Sequence, residues 1–418
     1  MRKLLLFTVF TFFVFTTISF ASGFQINECG ARAMAMGGAF TGLANDPSAA
    51  FYNPAGITQL SGTQFSVGVS LIAPSATFTG PTPSTAEYKL KAKIYTPFNV
   101  YFTHQLSDKM AIGLSVNNPY GLGTQWEDEK WAGRYLAVDT EIQTFFFSPV
   151  FAYKINEQFS VGAGVTFAYG NVTIKKNIPV TTGVDGVTTL EGNGTSWGFN
   201  VGLLWKPAKE FSVGLDYRSQ NKFDFEGTAE TSPATYGPYT LPHGDITAPL
   251  TTPQNIVLGL AFMPTENLTF VGDFQYVGWE SYDKLEVTFK TPLYNGATKS
   301  TAVRDYENCF IARIGCEYLM NPTVALRGGI FYDKNPVKDE LVEPTLTDAD
   351  RIGFNIGLGY KFTPNFGVDF SYLFLYFPER EITNSAVYTV PGVTAAGFFN
   401  GTYKPVAHLV GINFSYSL

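Results

Sequence analysis

The sequence has little of what several common protein classes need. Charged residues make up only 15% of its 418 residues, and the formal net charge is −7. Nucleic-acid binding depends on clusters of lysine and arginine, so we predict no nucleic-acid partner. After residue 21 no apolar run reaches the roughly 18 residues of a transmembrane helix. These absences exclude a helical membrane protein and disfavour a nucleic-acid-binding one.

Cysteine is scarce as well, with three residues in the chain. Cys309 and Cys316 lie on one predicted strand with opposite parity, so their side chains face opposite sides and lie too far apart to bridge. Any disulfide would need Cys29. We therefore expect free thiols.

The first 21 residues have the features of an export signal. Arg2 and Lys3 precede an apolar run from Leu4 to Phe20, and small residues flank a cleavage position after Ala21. A membrane anchor is the alternative, but the run is short and no stop-transfer pattern follows. We predict a signal peptide over residues 1–21.

What the chain has in excess is aromatic residues and glycine, with 38 Phe, 23 Tyr and 41 Gly. Alternation is clean over residues 159–169, 352–362, 366–376 and 410–418, where every second residue is apolar. Aromatic residues lie at the strand ends of the apolar face, while Gly, Ser, Asn and charged residues form the other face. This pattern is typical of an outer-membrane barrel with lipid outside and a polar lumen.

The connections between these strands alternate in length. Short ones fall at 106–109, 155–158, 207–210, 264–267, 321–323 and 363–365, and long ones near 73–93, 120–139, 177–193, 227–247, 290–304, 334–350 and 378–404. Thirteen connections join fourteen strands. The sequence thus predicts an all-β fold, a 14-stranded antiparallel transmembrane β-barrel over residues 61–418, with its short turns on the periplasmic side.

Residues 22–60 differ from the rest of the chain. They are rich in Gly and Ala and have neither the period of a strand nor that of a helix. A compact segment before a long series of strands suggests a plug, which we call the hatch, inside the barrel lumen. A general porin, the less favoured alternative, would leave this segment unexplained.

Three stretches resemble the FadL family of outer-membrane transporters, which includes aromatic-hydrocarbon uptake proteins. They are Ser22–Gln25, Asn53–Ala55 and Asn117–Leu122. The resemblance implies passive, ligand-gated diffusion of hydrophobic molecules through a hatch-closed barrel. It also implies a groove among the outer loops, a pocket at the hatch N-terminus and lateral exit beside a kinked third strand.

By position, the resemblance assigns the pocket to Phe24 and Ile26, beside Ser22 and Gly23. It places the groove between the loops at 177–193 and 227–247. Exposed apolar patches often mark binding sites, and these loops carry Val187, Leu190, Tyr236, Tyr239 and Leu241. The alternative is that the loops fold on each other and hide these side chains.

Two motifs have both a structural and a functional interpretation. Asn53, Pro54 and Ala55 form either a turn that ends the hatch or an anchor to the barrel wall. Proline removes a ladder donor and is confined to edges and bulges, so Pro119 either opens the wall or follows a strand that ends at Asn118. We favour a lateral opening formed by Asn118, Pro119, Tyr120 and Gly121.

Strand parity places several charges in the lumen, where most must be paired. They are Asp216, Arg218, Asp273, Arg313, Glu317, Arg327, Arg351, Lys361 and Asp369. A carboxylate ligand would need one unmatched cation, for which arginine is well suited because it can form two parallel hydrogen bonds. Arg218 and Arg327 are the candidates, with Lys175 and Lys176 as alternatives.

An enzyme is the competing class, but the chain has only three histidines, at 104, 243 and 408. None has a Ser or Asp partner at a sequence spacing that would indicate a catalytic motif, and no two are placed to bind a metal. We predict no catalytic residues, no metal and no cofactor. The resemblance implies outer-membrane uptake of long-chain fatty acids or related hydrocarbons in a Gram-negative bacterium, with a toluene-type transporter as the alternative. Expected partners are the hydrophobic ligand, outer-membrane lipid, lipopolysaccharide and the assembly machinery, and we expect a monomer.

Overall fold

The computed structural model describes residues 23–181, 183–236, 239–293, 296–390, 393–394 and 397–418. The predicted signal peptide and Ser22 lie outside the described residues. Fourteen antiparallel strands form a closed barrel, which confirms the predicted fold class. The barrel strands are β1 Thr63–Thr79, β2 Phe98–Gln105, β3 Met110–Asn117, β4 Asp139–Lys154, β5 Phe159–Thr181, β6 Val184–Ala208, β7 Phe211–Arg218, β8 Asn255–Thr265, β9 Leu268–Val277, β10 Cys309–Asn321, β11 Val324–Asp333, β12 Arg351–Lys361, β13 Phe366–Tyr376 and β14 Gly401–Ser417.

Each strand pairs with the next, and the ring closes where β14 pairs with β1. That ladder runs from the pair of Gln64 with Ser417 to the pair of Thr79 with Thr402. Closure leaves neither the first nor the last strand of the barrel as an edge strand. Among the described residues no helix has the length and hydrophobicity needed to cross a membrane.

The two faces of the barrel are as the alternation predicts. Along β4 and β6 the exposed positions are apolar, such as Phe147, Phe151 and Trp197, while inward neighbours such as Ser148 and Asn200 are buried. The apolar band faces outward, as a lipid-facing surface must. Cys29, Cys309 and Cys316 form no disulfide among the described residues.

The six short turns are found, but the long connections contain more strand than predicted. Residues 177–193 are not a loop, because β5 continues to Thr181 and β6 begins at Val184. Of the expected loop at 227–247, residues 227–232 and 244–247 likewise lie in strands, Lys222–Ser232 and Gly244–Thr251, which pair with each other. Beyond the lipid-facing band, both faces of each strand are in contact with protein or water. The apolar alternation that marks a strand is therefore lost there, although the ladder continues.

Smaller elements fill the remaining connections. They are strands Glu87–Lys89, Gly121–Gln125, Thr235–Tyr236, Tyr239–Thr240, Lys284–Phe289, Lys299–Val303 and Arg380–Ile382, and 3-10 helices Trp279–Ser281 and Asp339–Leu341. The strands at 284–289 and 299–303 pair with each other, so part of the expected loop at 290–304 is also strand.

The segment before β1 has no long element and includes three short helices. It contains helices α1 Ala31–Ala35 and α2 Ala49–Tyr52 and the 3-10 helix Pro54–Gln59. Helix α1 contacts β11 to β14, whereas the 3-10 helix contacts β3 to β6 on another arc of the ring. A segment that touches both arcs lies across the inside of the barrel.

Glycines on the inner wall let this segment approach closely. A Cβ atom at Gly315 would lie 2.3 Å from Met36 O, and one at Gly329 would lie 2.3 Å from Gly37 N. Any larger side chain there would displace backbone. The small inner face noted in the sequence therefore makes room for the N-terminal segment.

Candidate functional site

The third strand is interrupted where proline was predicted to break it. Strand β3 ends at Asn117, and strand Gly121–Gln125 then continues along the same partner, β4. The strand resumes after residues 118–120, so it does not simply end at Asn118. On its other side, the ladder with β2 stops at the pair of Asn99 with Asn117.

Side chains replace the ladder bonds at this interruption. Asn118 Oδ1 accepts from the Phe98 backbone N–H at 2.8 Å, and Asn118 Nδ2 donates to Thr144 O at 2.6 Å. Thr144 Oγ1 donates to Tyr120 O at 2.6 Å and accepts from the Tyr120 N–H at 3.2 Å. Pro119 has no N–H to donate. The wall is thus held by two side chains rather than by a continuous backbone ladder.

The N-terminal segment pairs with the interruption from inside the barrel. Gln25 forms an antiparallel bridge with Tyr120. The Ile26 N–H donates to Pro119 O at 2.8 Å, and the Gly121 N–H donates to Phe24 O at 3.0 Å. Residues 24–26 therefore act as a short strand behind the break.

Tyr95 covers a gap on the other side of the interruption. The Lys91 N–H donates to Gln125 O at 2.7 Å beside the bridge of Leu90 with Trp126, but between there and the Asn99–Asn117 pair the described residues show no ladder across to residues 121–124. A Cβ atom at Gly123 would lie 2.0 Å from Tyr95 Cζ, so the tyrosine ring lies directly on this glycine. The sequence analysis did not identify Tyr95. Pro97 could have pointed to it, because a proline has no N–H to donate and so marks a place where the ladder is broken.

A cavity of about 440 Å³ lies between residues 24–26, the interruption and the Tyr95 gap. Its apolar lining comprises Ile72, Leu90, Leu122, Ile142, Phe145, Leu346, Leu375, Phe377 and Leu409. The predicted residues Phe24, Ile26, Asn118, Tyr120 and Gly121 all line it. The structure thus brings the predicted pocket and the predicted opening together in one site.

Aromatic rings surround Phe24 at the inner end of this cavity. Its ring centroid lies 4.7 Å from that of Trp279, 5.8 Å from Tyr282 and 6.3 Å from Tyr120, all edge to face. Such pairs contribute about 0.5–1.5 kcal/mol each beyond their buried area. Phe24 therefore occupies a site that suits a flat apolar group.

The start of the segment is tied to the outer connection before β12. The Gly23 N–H donates to Asp348 Oδ2 at 2.9 Å, and Arg351 Nη2 donates to Gly23 O at 3.1 Å. Asp348 is buried, and this burial raises the pKa of its carboxyl to about 6. The residue next to Phe24 is thus held by a group that titrates near neutral pH.

The residues predicted to form a groove among the outer loops do not line the 440 Å³ cavity. Leu190 lines a separate apolar cavity of about 40 Å³, Val187 lies opposite Ser232 in a strand pair, and Leu241 is buried. Tyr236 and Tyr239 lie opposite each other in a short hairpin. Strand pairing thus covers part of the surface where the groove was expected.

The two candidate arginines have different surroundings, and neither lines the large cavity. Arg327 Nε lies 2.6 Å from Glu317 and its Nη1 lies 2.7 Å from Asp369, with 6% of the side chain exposed. Arg218 lies 3.1 Å from Asp216 and lines a second, polar cavity. Because two carboxylates hold Arg327 and only one is paired with Arg218, the geometry favours Arg218 as the cation with donors left for a ligand.

The remaining predicted cations and motif residues are also placed by the structure. Lys175 pairs with Glu129 at 2.9 Å. Asn53 Nδ2 donates to Leu203 O of β6 at 3.0 Å, and Pro54 and Ala55 are buried beside it. In the described residues no group of three His, Cys, Asp or Glu side chains is placed to hold a metal ion.

Comparison with known proteins gives consistent matches over nearly the whole chain. The family model described as "Outer membrane protein transport protein (OMPP1/FadL/TodX)" matches residues 12–418. The long-chain fatty acid transport protein of Escherichia coli O6:H1 (strain CFT073) is 26% identical, and the match covers 96% of each chain. A Pseudomonas aeruginosa FadL homologue has a TM-score of 0.82 at 20% identity, with 95% of this chain and 100% of that chain covered. The Pseudomonas putida toluene transporter TodX has a TM-score of 0.75 at 18% identity, with 94% and 99% covered. The chain therefore belongs to the OMPP1/FadL/TodX family of outer-membrane transport proteins.

Proposed function

We propose that this protein carries hydrophobic small molecules, long-chain fatty acids or related hydrocarbons, across the outer membrane by passive diffusion. The observation that carries the proposal is the apolar cavity of about 440 Å³ bounded by the interrupted strand. A cavity of this size and lining suits an apolar ligand. No enzymatic step is part of the proposal.

A monoaromatic hydrocarbon is the second candidate ligand. The rings of Trp279, Tyr282 and Tyr120 around Phe24 form an aromatic site that a flat ring could enter if Phe24 moved. A toluene transporter is among the similar solved structures. Both ligand classes need the same apolar walls.

We propose that the ligand leaves sideways, through the gap between Tyr95 and Gly123. The cavity is lined on this side by residues 95–98 and 120–124, which no described ladder joins. An oily molecule released into the membrane keeps its apolar surface out of water, which is worth about 25 cal/mol per Å². Release into the periplasm would forfeit that energy.

Residues 22–60 act in this proposal as the hatch. Asn53, Pro54 and Ala55 anchor it to β6, and residues 24–26 close the interruption. In this proposal the ligand first meets the outer strand extensions and hairpin that carry Val187, Leu190, Tyr236 and Tyr239, whereas the buried Leu241 is not part of that surface. The protein works as a monomer among outer-membrane lipid and lipopolysaccharide, placed there by the assembly machinery.

Two substitutions at Tyr95 test the lateral exit. Tyr95→Ala removes the ring over Gly123 and should raise the rate of uptake of a radiolabelled hydrocarbon into cells. Tyr95→Trp keeps the gap covered and should lower the rate or leave it unchanged. Ile94→Ala, at the exposed neighbouring position, is the control. Uptake that is the same in all four proteins would show that the ligand does not pass this gap.

A further inference from the structure

The gap between Tyr95 and Gly123 separates two parts of the barrel wall. Tyr95 belongs to the β1 side, because its N–H donates to Ile72 O at 2.9 Å and its carbonyl oxygen accepts from the Ile72 N–H at 2.8 Å. Gly123 belongs to the β4 side, where it lies opposite Glu141. No described ladder joins the two sides over residues 121–124, so side chains must hold them together there.

An ion pair between Lys93 and Glu141 joins the two sides of this gap. Lys93 Nζ lies 2.6 Å from Glu141 Oε2. Lys93 comes two residues before Tyr95 in the chain, whereas Glu141 is part of β4. Gln143, also on β4, donates from its Nε2 to Glu141 Oε1. The carboxylate is therefore held on the β4 side and reaches across to a cation on the β1 side.

The same cation contacts the ring that covers the gap. Lys93 Nζ lies 4.9 Å from the ring centroid of Tyr95, which is within the range of a cation–π interaction. That ring lies directly on Gly123, where a Cβ atom would be 2.0 Å from Tyr95 Cζ. Because Lys93 is bound to Glu141 and also lies over the ring, it favours the ring position in which the gap is covered.

The ion pair lies where the large cavity reaches the gap. Glu141 and Gln143 line the cavity, together with Phe98 and Phe145. On the outward face of β4 the apolar series ends at Phe145, and Gln143 and Glu141 follow it, so the pair lies at the edge of the lipid-facing band. The side chains of Lys93 and Glu141 keep 37% and 26% of their surface accessible. Accessible ion pairs of this kind are weak, so this one can break and form again.

We propose that Lys93 and Glu141 form a latch over the lateral exit. Their ion pair holds Tyr95 on Gly123, and the exit opens when the pair breaks. Lys93 is a positioning residue, because it does not line the cavity and acts on the ligand through Tyr95. The opening of the latch, and not binding in the cavity, then limits the rate at which the ligand leaves. This inference rests on the proposed lateral exit and names what regulates it.

The test measures the uptake into cells of two radiolabelled probes of equal chain length, dodecane and dodecanoate. Lys93→Met and Glu141→Gln each remove one charge of the pair, and each should raise the uptake rate of both probes by about two- to fivefold. Lys93→Arg keeps the charge and should keep the rate of the unaltered protein. An equal rise in Lys93→Arg would overturn the latch, and so would a change for dodecanoate alone, because the charges would then act on the acid itself.

Two comparisons show whether the two residues act as a pair. The double variant Lys93→Met with Glu141→Gln should be no faster than either single variant, because the second change has no interaction left to remove. Effects that multiply would show two independent roles and overturn the latch. Lys290→Met breaks another outer ion pair, with Asp245 at 2.9 Å, whose members do not line the cavity, and it should leave uptake unchanged.

Binding to the purified protein separates a latch from a structural role. Because Lys93 does not line the cavity, Lys93→Met should leave the affinity for dodecanoate, measured by calorimetry, unchanged while it raises uptake. A variant that is merely less stable would lose both binding and uptake. A joint loss of affinity and uptake would therefore overturn the latch.

A cross-link separates failure of the latch from failure of the lateral exit. Tyr95→Cys with Gly123→Cys places two thiols across the gap, and a short bis-methanethiosulfonate reagent that joins them should stop uptake until a reductant removes it. The unaltered protein treated with the same reagent is the control, since it keeps the three native cysteines. If the cross-link stops uptake while Lys93→Met and Glu141→Gln leave the rate unchanged, the latch is wrong and the lateral exit stands. Uptake that continues through the cross-linked protein would overturn the lateral exit and the latch with it.

Discussion

Single polar residues fix the N-terminal segment to the barrel. Asn53 is fully buried, and its Nδ2 donates to Thr41 O within the segment and to Leu203 O of β6, both at 3.0 Å. Its Oδ1 accepts from the Ala55 N–H. A Cβ atom at Gly202 would lie 2.2 Å from this Oδ1. The wall therefore has a glycine where the asparagine docks.

Asn53→Ala should lower the free energy of unfolding by about 1–3 kcal/mol, because two buried carbonyl oxygens and one N–H lose their partner. The midpoint of urea unfolding in detergent, followed by circular dichroism, measures the loss. Asn384→Ala, at an exposed position in an outer connection, is the matched control. Equal midpoints for the two variants would show that Asn53 is not an anchor.

From the sequence alone, a functional residue could be identified where its local pattern is unusual. A residue whose role depends on a partner far away in the chain was missed. Pro119 was found because proline breaks an otherwise regular face. Tyr95 was missed because its importance comes from Gly123 on another strand. Strand parity correctly placed Arg327 and Arg218 in the lumen. It could not show that Glu317 and Asp369 are paired with Arg327. Such pairing depends on strand register, which one-dimensional alternation does not fix.

At the scale of elements, the same limit explains why parts of the long connections were predicted as loops although they are strands. The strand count was right because lipid imposes alternation on every membrane-spanning strand. Beyond the membrane that constraint ends, so the extensions of β5 and β6 carry no pattern that separates strand from loop. The short strand at 24–26 could not be predicted either, because it pairs with the interruption at Tyr120 and not with a regular strand.

The tie between Gly23 and Asp348 should make this short strand sensitive to pH. Burial raises the pKa of Asp348 to about 6, above the usual value for an aspartate, so the closed segment binds a proton more tightly than an opened one in which the carboxyl meets water. Protonation should therefore favour the closed segment, and amide hydrogen exchange at residues 23–26, corrected for intrinsic rates, should be slower at about pH 5 than at about pH 8. Asp348→Asn is neutral at both, so it should remove this difference. A pH dependence that persists in the variant would assign the titration to another group.

At the scale of the whole molecule, the N-terminal segment is bonded to strands around the ring. Arg32 pairs with Glu317 of β10 at 2.8 Å, the Ala31 N–H donates to Asn413 of β14 at 2.9 Å, and Asp273 of β9 accepts from the Phe40 N–H at 3.1 Å. These contacts span the lumen. A ring of this size without the segment would hold a polar channel, because its inner face is polar.

The intact protein should consequently conduct few ions. In a planar bilayer we expect little steady current, because the buried segment leaves no continuous path for hydrated ions through the barrel. Deleting residues 24–45 should produce a stable, porin-like conductance, since the wall ladders do not depend on those residues. Deleting residues 84–86, in an exposed outer connection, is the control and should leave the current low. A large, stable conductance in the intact protein would contradict the hatch and favour a general pore, whereas a low current in a correctly folded 24–45 deletion would show that another part of the chain closes the lumen.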